Sequence, residues 1–144
     1  MGFLEVRPRL QSEEDRKALW DNFDIIDIIA SDHAPHTLAE KHEAGVPGFA
    51  GLETTLPLLL TAHKQGLISI ETIIEKCYTN PKRIFNLPDQ PDTFIECDLD
   101  ADWKIPDEMP FSKCGWTPFR GMEVCGVVRR VTLRGILFHK LSNF

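Results

Sequence analysis

Six consecutive residues, Ser31-Asp32-His33-Ala34-Pro35-His36, follow an apolar run ending in "IIA". Packing a core gives no reason for such a cluster. Asp32 is a carboxylate that can ligate a metal, act as a general base, or do both. His33 and His36 stand three residues apart, close enough in sequence to face one ligand. Pro35 restricts the turn between them and limits the entropy lost when the side chains converge. The plainer reading of Asp32 is an Asx-turn after a strand. His33, His36 and His42 could also form a local zinc site, but structural zinc sites take four ligands at familiar spacings.

The elements around the cluster must aim it. "DIIDIIA" is nearly continuous in β-branched residues, which predicts a strand over Ile25–Ala30 buried on both faces, as in a parallel sheet, with Asp27 as its one interruption. Asp32 then lies at the strand's C-terminal end, where barrel enzymes gather their catalytic groups. Upstream, "SEEDRKALWDNF" predicts a helix capped by Ser12, acidic in its first turn, with Ala18, Leu19 and Phe23 apolar. Downstream, "HEAGVPGFAG" is a loop. "LETTLPLLLTAHKQG" is a helix broken or kinked at Pro57 and ended by Gly66. "SIETIIEKCYT" is a helix capped by Ser69, and Asn80-Pro81 restarts a turn with Asn80 as its cap.

Beyond Leu87 the character changes. "DTFIECDLD", "ADWKIP" and "EVCGVVRRVTLRGILF" are short β runs divided by Pro, Gly and Asp. A helix, a buried strand and more helices form one slice of an α/β fold. A lone parallel strand leaves both of its edges unpaired, and a TIM barrel takes eight such units and about 250 residues. The α/β part is therefore expected to be incomplete.

With 144 residues, 42% apolar and 26% charged, the composition is that of a globular chain. A net charge of −6 argues against a general nucleic-acid binder. Arg129, Arg130, Arg134 and Lys140 alternate with apolar residues, which suits a solvated strand face. Cys77, Cys97, Cys114 and Cys125 form no C-x-x-C pair, so reduced thiols and a cytoplasmic location are expected. "LPLLLTA" is too short to span a bilayer, and Gly2 lacks the downstream Ser or Thr of a myristoylation signal. No membrane partner is expected.

Four blocks in order, "SDHAPHTLAEK", "PGFAGLETTLPLLL", "NPKRIFNLP" and "MPFSKCGWTPFRGMEVCGVVRRVTLRG", resemble the C-terminal part of dihydroorotase, a member of the amidohydrolase superfamily. The likeness is greatest to the form joined to carbamoyl-phosphate synthetase and aspartate transcarbamoylase in one animal protein, and it runs from about Glu5 to Gly135. The resemblance implies a TIM barrel with a two-zinc centre and a small β-sandwich. Residues 1–87 would be the C-terminal portion of the barrel and 88–144 part of the sandwich. It implies reversible cyclisation of N-carbamoyl-L-aspartate to L-dihydroorotate in pyrimidine biosynthesis.

Residue by residue, Asp32 matches the aspartate that ligates one zinc and carries the proton of the metal-bound hydroxide. His36 and Arg7 match groups that bind the substrate's carboxylate, a task for which a guanidinium fork is suited. Pro47, with Gly48 beside it, matches a loop that covers the substrate ring. The resemblance gives no ligand role to His33 and no function to His42, His63 or His139. It implies a local pairing or capping role for Arg83, and Trp103, Trp116 and Phe119 in the sandwich core.

The chain also departs from the family. It contains no H-x-H pair, and Lys41 and Lys64 stand in the wrong context for the family's bridging carbamylated lysine. The expectation is a fragment of a zinc enzyme, inactive by itself, whose parent forms homo-oligomers. Two other readings stand beside it: an allantoinase or dihydropyrimidinase fragment, whose substrates lack the ring carboxylate, and a non-enzymatic remnant that binds a partner.

Overall fold

The computed structural model describes residues 4–139. Lys140 and the side chain of His139 lie outside the described residues. The elements in chain order are helices α1 (Glu13–Asp21), α2 (Leu38–Glu43), α3 (Leu52–Lys64), α4 (Ile70–Ile74) and α5 (Asn80–Ile84), then strands β1 (Phe94–Lys104), β2 (Glu123–Leu133) and β3 (Ile136–His139). This is an α/β chain with a small sheet. It gathers into two compact units, Met1–Leu56 with Lys104–Met122, and Pro57–Trp103 with Glu123–Phe144.

In the first unit, Ser12 and Asp15 form a reciprocal capping box at the start of α1, so the expected cap is present. None of the residues of α1 is buried. An open cavity of about 880 Å³ lies between this helix, residues Pro8–Gln11 and Ile25–Ile26. The expected strand over Ile25–Ala30 does not form. Phe23–Ile25 is a 3₁₀ turn, and the chain then runs without ladder partners to the start of α2. Ile25 is 75% exposed. A parallel strand exists only when a neighbouring strand takes up its N–H and C=O groups, and no described strand flanks this one.

In the second unit, α3 runs through Pro57 without a break. Only one ladder bond is forfeited there, and the preceding turn is anchored at Gly51, whose carbonyl accepts from the N–H groups of Thr54 and Thr55 and the Thr55 hydroxyl. Gly66, at φ +76°, closes the helix. Its N–H reaches the His63 carbonyl and the Leu67 N–H reaches that of Ala62, a Schellman closure. Ser69 caps α4 through Thr72 N–H. Asn80, by contrast, is not at a cap position, which Thr79 occupies. A π-helical turn over Glu75–Thr79 joins α4 to α5 without interruption, leaving no helix start to cap. The buried Asn80 amide donates to Glu75 Oε1 at 3.4 Å and accepts from Arg83 Nη2 at 3.3 Å.

The sheet has the order β1-β2-β3. The first two expected β runs fuse into β1. The third splits into an antiparallel hairpin with Leu133 opposite Ile136. The two turn residues, Arg134 and Gly135, have φ of +51° and +75°, the signs a type I′ turn demands. Arg129 and Arg130 are exposed and pair with Asp98 and Glu96 on the neighbouring strand, whereas Arg134 stands in the hairpin turn and not on a strand face. Leu60, Ala62, Ile73, Val124, Cys125 and Val127 are buried. At Gly126 helix and sheet meet so closely that a Cβ would stand 3.0 Å from that of Leu60.

Candidate active site

The cluster Ser31–His36 lies in the first unit, laid against residues 48–52. Ala34 N–H donates to the Phe49 carbonyl at 2.9 Å. A Cβ on Gly48 would stand 2.7 Å from Ala34 Cβ and 3.4 Å from the His36 ring, so only glycine allows this approach, at φ +122°. A Cβ on Gly51 would meet the Ser31 carbonyl at 2.9 Å. The two segments are thus in backbone contact along their length.

Asp32 is exposed and holds φ +44°. Left-handed backbone is uncommon outside glycine, though aspartate tolerates it better than most residues. Such geometry persists where the surroundings fix it, and here both neighbours are fixed. On one side stands the tight contact at Ser31. On the other, His33 Nδ1 accepts from the N–H groups of Gly51 and Leu52 at 3.0 and 3.3 Å. His33 therefore caps the start of α3, meeting two donors a helix terminus leaves unsatisfied.

His36 is half-buried, its Nδ1 4.0 Å from Glu40 Oε2. It precedes α2, which opens with a Thr37–Glu40 capping box. Glu40 accepts from the Thr37 N–H and hydroxyl at 2.7 and 2.9 Å. Those bonds, with a smaller contribution from the nearby His36, hold its carboxyl below the usual range. Gly48 N–H donates to the Glu5 carbonyl at 3.0 Å, which brings the Arg7 segment beside the Pro47–Gly48 loop. Arg9 pairs with Glu5 at 3.5 Å, while Arg7 is exposed. The fold thus sets His36 against Gly48 and runs the segment leading to Arg7 alongside.

Four residues that hold this arrangement carry no local sequence signal for the task. Lys41 is 1% exposed. Its ammonium donates to the carbonyls of Glu5 at 2.9 Å, Val46 at 2.8 Å and Gly48 at 3.0 Å. The same nitrogen lies 5.6 Å from the Phe49 ring centre and 5.9 Å from that of Trp116. Trp116, expected in the sandwich core, packs edge-on against Phe49 and donates its indole N–H to the His36 carbonyl at 2.7 Å. Glu53 accepts from Ser112 and Phe111 N–H at 2.7 and 3.3 Å, holding the loop that carries Trp116. His33 is the fourth. Elsewhere, His63 was expected at the surface but is half-buried, its Nδ1 bonded to the Ile68 carbonyl at 2.9 Å.

The residues described do not make a zinc site on their own. Zinc takes about four donors. Asp32 offers one carboxylate, and among the described residues no three His, Cys, Asp or Glu side chains come together to hold an ion. All four cysteines are free thiols. No helix among the described residues is long and apolar enough to cross a membrane.

No protein-family model matches the chain. It is 59% identical over 135 residues, 93% of its length, to Multifunctional protein pyr1-3 of Dictyostelium discoideum, and 52% identical over 135 residues to Multifunctional protein CAD of Squalus acanthias. It is 46% identical over 138 residues to the dihydroorotase of Pyrococcus furiosus. The chain spans 6% of each multifunctional protein and 33% of the archaeal one. Among solved structures it is similar to the inactive dihydroorotase-like domain of a CAD-like multifunctional protein of Chaetomium thermophilum (TM-score 0.74, 34% identity, covering 89% of this chain and 36% of that one). It is also similar to an L-hydantoinase of Arthrobacter aurescens (TM-score 0.81, 29% identity, 92% of this chain and 33% of that one).

Proposed function

We propose that this chain, homologous to dihydroorotases over more than nine-tenths of its length, is the C-terminal portion of a dihydroorotase. In this reading residues 1–87 complete a TIM barrel and 88–144 contribute to a small β-sandwich. The observation that carries the reading is the placement of His36 against Gly48, with the segment leading to Arg7 hydrogen-bonded beside them. The exposed apolar side chains Leu10, Leu19 and Ile25 fit a surface that packs against further chain.

The reaction is the reversible cyclisation of N-carbamoyl-L-aspartate to L-dihydroorotate with loss of water. In ring opening, water adds to the ring amide carbon and the carbon–nitrogen bond breaks. Asp32 takes the proton of the attacking water and delivers it to the departing ring nitrogen. It is an exposed carboxylate on a fixed turn, so it can reach solvent and substrate alike. Arg7 offers a planar donor fork and His36 a second donor to the ring carboxylate. The backbone of Pro47 and Gly48 borders the ring. Asp32 would be one ligand of a zinc centre, which would activate the attacking water; the further ligands would come from outside these residues, so the 144 residues alone are not expected to turn over substrate.

A fusion of this chain to the upstream two-thirds of the Pyrococcus furiosus dihydroorotase tests the substrate class. Orotate binding, followed by calorimetry, weakens about tenfold or more in Arg7→Ala and His36→Ala, as loss of a charge-assisted bond requires. Hydantoin binding that matches orotate binding, and is indifferent to both substitutions, would favour a hydantoinase-type substrate. The Arthrobacter likeness makes that the second reading. A fusion that binds orotate but never turns over would place the chain with the inactive Chaetomium domain.

A further inference from the structure

We propose that Lys41 is the positioning residue of this site: its ammonium fixes the segments carrying Arg7, His36 and Pro47–Gly48 relative to one another. What is positioned rests on the reading above. That Lys41 does the positioning rests on geometry alone. Lys41 sits one turn into α2, five residues after His36. Its three N–H donors are matched one for one by three backbone carbonyls from two chain segments, Glu5 on one and Val46 and Gly48 on the other. Glu5 is two residues from Arg7, and the other two carbonyls bracket Pro47.

No carboxylate takes part in these bonds. An ammonium buried among carbonyls and aromatic faces is a fixed point, because releasing it would leave the part-buried Val46 and Gly48 carbonyls without this donor and the Glu5 carbonyl with Gly48 N–H alone. The Phe49 and Trp116 rings close it off and add cation–π attraction. Trp116 in turn holds the His36 carbonyl, so a single lysine and the rings around it reach all three segments. A surface lysine would carry none of these ties.

The full 144-residue chain, labelled with nitrogen-15 and carbon-13, provides the test, by itself for exchange and in the fusion described above with orotate as probe. In the unaltered protein the Lys41 ammonium gives a slowly exchanging signal with through-bond coupling to three carbonyl carbons; absence of that coupling overturns the proposal without any variant. Lys41→Met keeps the aliphatic stem and removes the donors. It raises amide exchange at Gly48 by about tenfold or more, while amides of Val124–Val127 keep their rates. Lys41→Arg restores at least part of the protection, because a guanidinium also donates to carbonyls. Unchanged Gly48 exchange in Lys41→Met contradicts the proposal. Orotate shifts at His36 and Gly48 that weaken in Lys41→Met and recover in Lys41→Arg support it further. If orotate perturbs neither residue in the unaltered fusion while the exchange effect holds, the dihydroorotase reading fails at this site and the positioning by Lys41 stands.

Discussion

The two compact units reach order by different means. In the unit containing residues 57–103, backbone groups meet partners within regular elements: a Schellman closure at Gly66, a side-chain cap at Ser69, a ladder from Arg130 to Leu133 and a two-residue hairpin turn. In the unit containing residues 31–53, long stretches belong to no element, and single side chains do the same work. Lys41 holds three carbonyls, His33 two amides, Glu53 two amides and Trp116 one carbonyl. Regular elements share their load over many bonds. A knot of side chains leaves the backbone free to take up the shapes a site needs, such as the positive φ of Asp32, but concentrates the stabilisation in a few residues.

That contrast predicts unequal costs. Lys41→Met should destabilise the first unit by about 3 kcal/mol, since three part-buried carbonyls lose the ammonium and only that of Glu5 keeps another donor, Gly48 N–H. Urea unfolding followed at the Gly48 amide measures this. Lys64, paired with Asp102 at 2.6 Å on the surface, is the counterpart in the second unit, and Lys64→Met should leave the unfolding midpoint where it is. Equal effects would erase the distinction. Next in size, Gly48→Ala should cost about 2 to 4 kcal/mol, because its new methyl meets Ala34 backbone and side chain at an unfavourable φ. Gly135→Ala meets open space and should cost about 1 kcal/mol, from φ alone. Thermal melts of both variants decide whether close approach adds to backbone strain as claimed.

Much of the second unit was legible because its signals are local. A cap, a C-terminal glycine or a two-residue turn is decided within about five residues. Gly66, Ser69 and the β runs were read that way, as was Ser12 in the first unit. Asn80 was misread because its role depended on whether the preceding helix had already ended. The Ile25–Ala30 run reads as a strand from its side chains, but a strand is a property of pairs, and the described residues supply no partner. The cluster at Asp32 and His36 was visible as chemistry that no core would want. What holds it was not, since Lys41, His33 and Trp116 find partners 18 to 80 residues away in four of their bonds. Lys41 itself was weighed only as the family's bridging lysine and set aside for its context.

Smaller effects sharpen the same comparison. Arg134→Asn should stabilise the hairpin by about 0.5 to 1 kcal/mol, because asparagine accepts the positive φ that arginine holds there under strain; the melting temperature should rise. Acid distinguishes the units only slightly. Glu40 is held low by the Thr37 bonds, and Asp98 is held low by Arg129 first and by the Asp100 N–H next. A carboxylate whose folded pKa is depressed contributes stability that is full above its unfolded value, about 4, and is lost as pH falls through the folded one. Both contributions should therefore vanish only below about pH 4. The α2 amides should fray there with Glu40 protonation, and Glu40→Gln should remove the pH dependence of that fraying.

The most direct measurement is steady-state turnover of L-dihydroorotate by the fusion with the upstream two-thirds of the Pyrococcus furiosus enzyme, with zinc supplied, in the unaltered form and as Asp32→Asn. Asparagine tolerates the left-handed turn, so the fold and orotate affinity should survive while kcat drops about a thousandfold. An Asp32→Asn fusion that turns over as fast as its parent would contradict the assignment of Asp32 and, with it, the active site described for this chain.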